Sequence, residues 1–250
     1  MTTNSRNIII TGANRGIGLA MVKKFAENGC NIWACARKPN ADFAAKMNGL
    51  SDEHGVWIKP VYFDLSSEDE IKNGIMNIYS DKQPVQTLIN NAGIYIEKLF
   101  QMHTMKDIKE IYNINVISLM YVTQLVLKIM AKQKYGNIIN IASVTGTTPY
   151  MGAVCYGSSK AAVISFSQSL AIEAGALGDI RVNAIAPGHT DTDMVKDRSG
   201  KSLKRVLESC VMQRLAQPCE IANVAYFLSS DEASFINGQV IQVDGGKSHG

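Results

Sequence analysis

The residues Asn7-Ile-Ile-Ile-Thr11-Gly12-Ala13-Asn14-Arg15-Gly16-Ile17-Gly18 constrain this chain more than any other stretch. Ile8 to Ile10 form an unbroken apolar run, the pattern of a short strand buried on both faces of a parallel sheet. Three glycines follow within seven residues, and residues 19–28 then read as a helix. Ile17, Met21 and Phe25 recur at every fourth position and give that helix one apolar face. Strand, glycine turn and helix in that order present backbone N–H groups and a positive helix end to a pyrophosphate. A side chain in the turn would hold the phosphates away from the backbone, so glycine suits it. The spacing is T-G-x-x-x-G-x-G, with Asn14 where the G-x-G-x-x-G fingerprint needs glycine. A plain turn before a helix is therefore a live alternative at this point.

The rest of the chain alternates strand-like and helix-like segments. Residues 31–36 read as a second strand that runs into Arg37-Lys38, with no acid before Asp42. A carboxylate there would bond the 2′-hydroxyl of NAD, whereas a basic residue accommodates the 2′-phosphate of NADP. Given a dinucleotide site, Arg37 favours NADP(H), and Arg15 in the glycine turn adds a second charge; two basic residues on a solvated loop fit the spacing equally well. Residues 56–63 form the third predicted strand, followed by Asp64-Leu65-Ser66, where Asp64 either bonds adenine or caps the amphipathic helix 68–80. A fourth strand, 85–89, ends in Asn90-Asn91-Ala92-Gly93, an adaptable polar turn. The long helical region 105–132 carries Asn113 and Asn115 among apolar neighbours, as a structural bridge or part of a polar site. Strands at 137–142, 180–186 and 239–243, a helix running to about residue 177, and helices at 201–212 and 218–229 complete the pattern. Pro187-Gly188 ends the sixth strand, and the polar residues 189–212 suit a lid over a site. The whole is an α/β chain: one domain over residues 1–250, a doubly wound, seven-stranded parallel sheet with helices on both faces.

Composition removes other classes. With 46% hydrophobic and 19% charged residues the chain is globular, and a net charge of +3 without a basic, aromatic-interleaved stripe argues against a nucleic-acid partner. The most apolar stretch, 116–131, is interrupted by Ser118, Thr123, Gln124 and Lys128, so no membrane span is expected. The polar first residues carry no signal-peptide pattern, and five scattered cysteines read as free thiols in a reducing compartment, so a cytoplasmic location is expected. His189, Asp191 and Asp193 lack a fourth ligand, and no metal is expected.

The chemistry concentrates at Ser143, Tyr156 and Lys160. Tyr156 and Lys160 lie four apart, on one face of a helix. A tyrosine hydroxyl has a pKa near 10, about three units too high for a base at neutral pH, and a nearby ammonium lowers it. Ser143, at the end of the fifth strand, is placed to hold a carbonyl oxygen. Each residue alone also has a structural reading: a cap, a core tyrosine, a solvated lysine.

In their order and positions, T-G-x-x-x-G-x-G, N-N-A-G, Ser143, Tyr156-x-x-x-Lys160 and Pro187-Gly188 together resemble the short-chain dehydrogenase/reductase family, in its short single-domain branch, over Asn7 to Gly246. The resemblance implies a Rossmann-type fold, an NADP(H) cofactor and a catalytic set of Asn115, Ser143, Tyr156 and Lys160. Tyr156 would give a proton to the carbonyl being reduced. Lys160 would lower the tyrosine pKa and bond the nicotinamide ribose, and Ser143 would polarise the carbonyl. Asn115 would hold a water linking Lys160 to solvent. The cofactor would lie on Gly12, Asn14, Arg15, Gly16, Ile17, Gly18, Arg37, Asp64, Leu65, Asn91, Ala92, Gly93, Pro187, Gly188 and Thr190, besides Tyr156 and Lys160. Thr147, Pro149, Tyr150 and Met151 would line the substrate pocket with Ser143. P-G-x-x-x-T-D-M and the tail F-L-S-S-D-E-A-S-F-I-N-G-Q-V-I-Q-V-D-G-G resemble bacterial 3-oxoacyl-acyl-carrier-protein reductases, a tail that sugar, polyol and other ketoreductases share. Of two arginines that dock the carrier protein in such relatives, Lys134 keeps the charge and Ile172 does not, which argues against that partner. A cofactor-binding regulator without turnover is the alternative outside enzymes, and such proteins lose the tyrosine or lysine that this chain retains. The apolar surplus of helices 105–132 and 153–177 predicts a homotetramer.

Overall fold

The computed structural model describes residues 6–193, 204, 207, 208 and 210–246; Met194 and most of the expected 201–212 helix lie outside those residues. Seven parallel strands run β1 Asn7–Thr11, β2 Asn31–Ala36, β3 Ile58–Tyr62, β4 Thr87–Asn90, β5 Tyr135–Ile141, β6 Asp179–Pro187 and β7 Val240–Val243. Their order in the sheet is β3-β2-β1-β4-β5-β6-β7. Winding reverses between β1 and β4, and the crevice outside the carboxyl ends of those strands is where open α/β sheets bind ligands.

The apolar run in β1 is buried from both sides. Ile8 and Ile10 pack with Met21, Phe25 and Ile221 on one face, beneath α1 Gly16–Glu27 and a late helix, Pro218–Ser229. Ile9 joins the opposite core with Ile71, Ile75, Val122 and Val126, from α3 Glu68–Ser80 and α5 Leu119–Gln133. Each such isoleucine contributes about 1.5–3 kcal/mol of burial free energy.

Two elements differ from the sequence expectation. Ala41–His54 is a helix, α2, that the pattern does not signal: only Phe43 and Met47 are buried, and the helix is defined by its Asn40 cap and by Gly55 in the left-handed region. The long helical region divides into α4 Met105–Tyr112, a π-helical turn Asn113–Ser118, and α5. Met105–Gln133 is long and apolar enough to cross a bilayer, yet Val122, Val126 and Met130 are wholly buried in the core against the sheet. α6 Val154–Gly175 follows β5, and the Pro218–Ser229 helix becomes α7.

Candidate active site

The glycine turn forms the floor of the site. Gly12 has φ +66°, and a Cβ there would lie 2.9 Å from the Ala92 Cα. A Cβ on Gly18 would overlap the Gly12 carbonyl. Asn91 ties the neighbouring turn to the same place: its Nδ2 donates to the Thr11 and Gly12 carbonyls at 2.9 and 3.2 Å, and its N–H donates to Thr11 Oγ1 at 3.0 Å. Helices α2, α3 and α4 start on side-chain caps from Asn40, Ser67 and Thr104. No side chain caps α1, which leaves its first-turn N–H groups facing the crevice. Uncapped donors behind a turn closed to side chains fit a dinucleotide pyrophosphate.

Two recesses meet at Gly93. One, of about 1200 Å³, is lined by Gly12, Asn14, Arg15, Arg37, Asp64, Leu65 and Ala92 among others. The second, of about 830 Å³, is lined by Ile17, Asn91, Ser143, Tyr150, Tyr156, Lys160, Pro187, Gly188 and Thr190. The first holds the expected adenosine-side residues, and its two arginines are already paired. Arg37 Nε donates to Asp64 Oδ2 at 2.9 Å, and Asp64 Oδ1 accepts from the Ser66 N–H and hydroxyl, each at 2.8 Å. These bonds hold the Asp64 carboxyl below the usual range although its partial burial opposes them. Arg15 reaches Asp193 at 3.4 Å, and a Cβ on Gly16 would lie 3.2 Å from Thr192, so residues 192–193 cross the glycine turn.

The second recess holds the reactive groups. Gly146 and Gly157 let the turn after β5 rest on α6: a Cβ on Gly157 would stand 2.7 Å from the Thr145 carbonyl, and one on Gly146 2.9 Å from the Ala161 nitrogen. Ser143 is thereby brought against the first turns of α6, which carry Tyr156 and Lys160. Ser143 Oγ accepts from the Thr145 hydroxyl at 2.9 Å and its N–H at 3.2 Å. With both acceptor sites filled, the Ser143 proton is directed outward, to the side from which it favours charge on the Tyr156 hydroxyl.

Lys160 is 3% exposed and donates to the Ile141 carbonyl at 2.7 Å. Burial lowers its pKa to about 8. The Tyr156 pKa departs from expectation. Burial pushes it up to about 12, and only the bond from Ser143 works against that. Lys160 does not depress it, because a lysine whose pKa burial lowers to about 8 has lost its charge before the phenol titrates.

Asn115 is fully buried in the π-helical turn. Its Oδ1 accepts from the Ile94 N–H at 2.8 Å, while Nδ2 donates to the Ile94 carbonyl at 3.0 Å and to Ser159 Oγ at 3.2 Å. Both amide hydrogens are thus committed to protein partners, and the side chain acts as a strut between the segment after β4 and α6. A Cβ on Gly93 would stand 3.1 Å from Asn115 Oδ1 and 3.5 Å from Lys160 Nζ, so this turn packs directly on both.

The residues expected on the substrate side lie partly in this recess. Of Thr147, Pro149, Tyr150 and Met151, only Tyr150 lines the cleft. Met151 is 78% exposed. Thr147 bonds the Val144 carbonyl and Gln242 on the outside, and Pro149 is exposed. Tyr95, His189 and Thr192 line the cleft instead. All three follow strand ends, the edge where ligands bind; which way a loop side chain points is settled by its contacts. Among the described residues, no three His, Cys, Asp or Glu side chains gather as a metal site would require.

The chain matches the short chain dehydrogenase family over residues 6–202. It is 36% identical over 242 residues to the 3-oxoacyl-acyl-carrier-protein reductase of Chlamydia trachomatis, covering 97% of each chain. The protein of the same name from Aquifex aeolicus is 37% identical over 95% of each chain. Nodulation protein G of Azospirillum brasilense is 35% identical over 96% of this chain and 97% of its own length. A full-length match, a doubly wound parallel sheet and the Ser143–Tyr156–Lys160 cluster at its switch point agree, and the chain belongs to the short-chain dehydrogenase/reductase family of oxidoreductases.

Proposed function

We propose that this chain is a single-domain, NADP(H)-dependent reductase that converts a ketone to a secondary alcohol, with a 3-oxoacyl thioester as its substrate. One observation carries the reading: the Ser143 and Tyr156 hydroxyls and a buried lysine, Lys160, line one cleft. The names of the relatives favour the thioester.

The glycine turn, Asn91 to Gly93, Pro187, Gly188 and Thr190 would hold the cofactor, with Lys160 on the nicotinamide ribose. Arg37 supports NADP(H), and Lys38 and Lys46 line a recess beside it. A nicotinamide cofactor held there would supply the hydride for the carbonyl carbon. Negative charge then develops on the carbonyl oxygen, where the preplaced Ser143 and Tyr156 hydroxyls donate to it. Tyr156 passes its proton to that oxygen. At neutral pH a phenol with a pKa near 12 is fully protonated, as a proton donor must be. Lys160, with a pKa near 8, can return a proton to the phenolate. Asn115 fixes the backbone on which Lys160 and Gly93 meet.

We further infer a cytoplasmic homotetramer. Ile117, Met120, Val154 and Ile172 are exposed on the π-helical turn, α5 and α6, an apolar surface that suits burial between subunits. Light scattering at micromolar concentration should give four times the chain mass, and a monomer would refute this. Ile172 is 79% exposed and uncharged, so of the two positions only Lys134, whose ammonium bonds the Leu177 carbonyl at 3.1 Å, offers a charge to a carrier protein.

The decisive assay follows loss of NADPH absorbance with acetoacetyl-coenzyme A, alongside Tyr156→Phe and an NADH control. Turnover that needs Tyr156 and prefers NADPH is expected. NADPH binding without turnover would move the substrate to sugars, polyols or steroids.

A further inference from the structure

The cleft contains an aromatic side chain that no part of the reductase scheme uses. Tyr95 lies two residues beyond Gly93, and its ring meets that of Tyr156 edge to face, with centroids 4.8 Å apart and planes at 74°. The Lys160 nitrogen lies over the same Tyr156 ring at 5.8 Å. The phenol is thus held between an aromatic ring and a cation.

The backbone that carries Tyr95 is anchored on either side of it. Upstream, both polar groups of Ile94 are bonded by the Asn115 carboxamide, which also bonds Ser159 on α6. Downstream, the Lys98 N–H donates to the Gly152 carbonyl at 3.1 Å, just before α6 begins. Gly152 has φ +81°, and a Cβ there would meet Glu97 at 3.3 Å, so the two segments lie in contact. Lys98 is pinned in turn to Asp107 at 2.8 Å. A tether this complete is more than one cleft-lining ring needs, and it keeps that ring against the residue that must move a proton.

We propose that Tyr95 is a positioning residue: its ring fixes the orientation of Tyr156, keeps water from the phenol, and narrows the cleft beside the acceptor carbonyl so that 3-oxo thioesters unsubstituted at C2 are preferred to 2-methyl ones. The selectivity part rests on the reductase reading above; the positioning part does not. Misplacement of a reacting group by about 1 Å costs up to about 100-fold in rate, and an aromatic pair accounts for about three- to tenfold.

The test compares Tyr95→Leu, Tyr95→Phe and the unaltered protein, with retained NADPH binding as the check of folding. The first measurement needs no cofactor. The phenolate signal of Tyr156 is followed by ultraviolet difference titration, each protein being blanked against its own Tyr156→Phe derivative so that the residue at position 95 is the same in both. In Tyr95→Leu, water reaching the phenol should move its midpoint down from about 12, and in Tyr95→Phe the midpoint should return. The second measurement is turnover of acetoacetyl- and 2-methylacetoacetyl-coenzyme A. Tyr95→Leu should lose about tenfold in kcat on the first, with little change in KM, and narrow the preference over the second; Tyr95→Phe should recover most of both. An unchanged titration midpoint in Tyr95→Leu overturns the positioning role whatever the rates show. A shifted midpoint with an unchanged preference overturns the selectivity role alone. If the unaltered protein reduces neither thioester, the thioester reading and the selectivity fail together, and the titration still decides the positioning role.

Discussion

The two ends of the crevice are built on opposite terms. At the catalytic end Asn115 is fully buried, Lys160 is 3% exposed and Ser143 is 9% exposed, and each side chain has fixed protein partners. At the adenosine end the side chains of Arg37 and Arg15 are 72% and 69% exposed, each paired to an acid near the surface. The buried end carries the cost of desolvated polar groups and in return has its geometry set before any ligand arrives. The exposed end costs little and can exchange partners when a phosphate comes in. Changes at the first should therefore appear in kcat, and changes at the second in cofactor affinity.

Tyr156→Phe should have the largest effect. It removes the proton donor and keeps the ring, and a general acid contributes about 10²–10⁴-fold. Stopped-flow or steady-state assays should show kcat falling about a thousandfold while NADPH affinity changes little. A loss confined to KM would place Tyr156 in substrate binding and break the contrast between the ends.

Lys160→Met comes next, with activity and stability moving in opposite directions. About 100-fold in kcat should be lost with the proton source. Below pH 8, however, the folded protein holds a cation whose pKa is lowered to about 8 by burial. The unfolded chain binds that proton more tightly between about pH 8 and 10.5, so unfolding free energy should rise with pH across that window. The span is roughly 3 kcal/mol at most. Tyr156 has the opposite sign: its raised pKa protects the folded state below pH 10, and that protection is lost from pH 10 to 12. Urea titrations should therefore show a rise from pH 8 to 10 in the native protein that Lys160→Met lacks. Equal slopes in the two proteins would mean that Lys160 is solvated in solution.

The parts legible in the sequence are those where chemistry dictates a residue type at a fixed spacing. The glycine turn, the Ser143, Tyr156 and Lys160 set, and the alternation of strands were visible because substitution there is sterically or chemically excluded. Helix α2 was not, since only Phe43 and Met47 reach the core and the rest of its surface is polar. Beside Tyr150, the family resemblance implies Thr147, Pro149 and Met151 for the substrate wall. The structure turns these outward and brings in Tyr95 and His189 from other strand ends. Spacing alone also does not give the direction of the Tyr156 shift in the cofactor-free chain. A lysine four residues away lowers a tyrosine pKa only while it is charged, and burial leaves Lys160 neutral by the pH at which the phenol titrates. Spacing reports which side chains share a face, and hydrogen-bond partners decide where they point.

At the exposed end, Arg37→Ala should weaken NADPH binding about tenfold by fluorescence titration and leave NADH within about twofold, because one charge-assisted contact to a phosphate is removed. Equal loss for both cofactors would mean that Arg37 acts through Asp64, its 2.9 Å partner, rather than through the phosphate.

The smallest effect tests whether the exposed pairs compete with the ligand. Asp193→Asn removes the carboxylate 3.4 Å from Arg15. A surface ion pair is worth about 0–1 kcal/mol, so an arginine that must leave Asp193 to meet a phosphate gains at most about fivefold when the acid is neutralised. NADPH should bind about twofold tighter to Asp193→Asn, and the difference should fade in high salt, where such pairs are screened. A loss of affinity would carry the opposite meaning. The ion pair would then hold residues 192 and 193 across the glycine turn as part of the cofactor's seat, consistent with Thr192 standing 3.2 Å from where a Gly16 Cβ would be. In that case the exposed end would share the preformed character of the buried one, and the contrast between them would narrow to Arg37 alone.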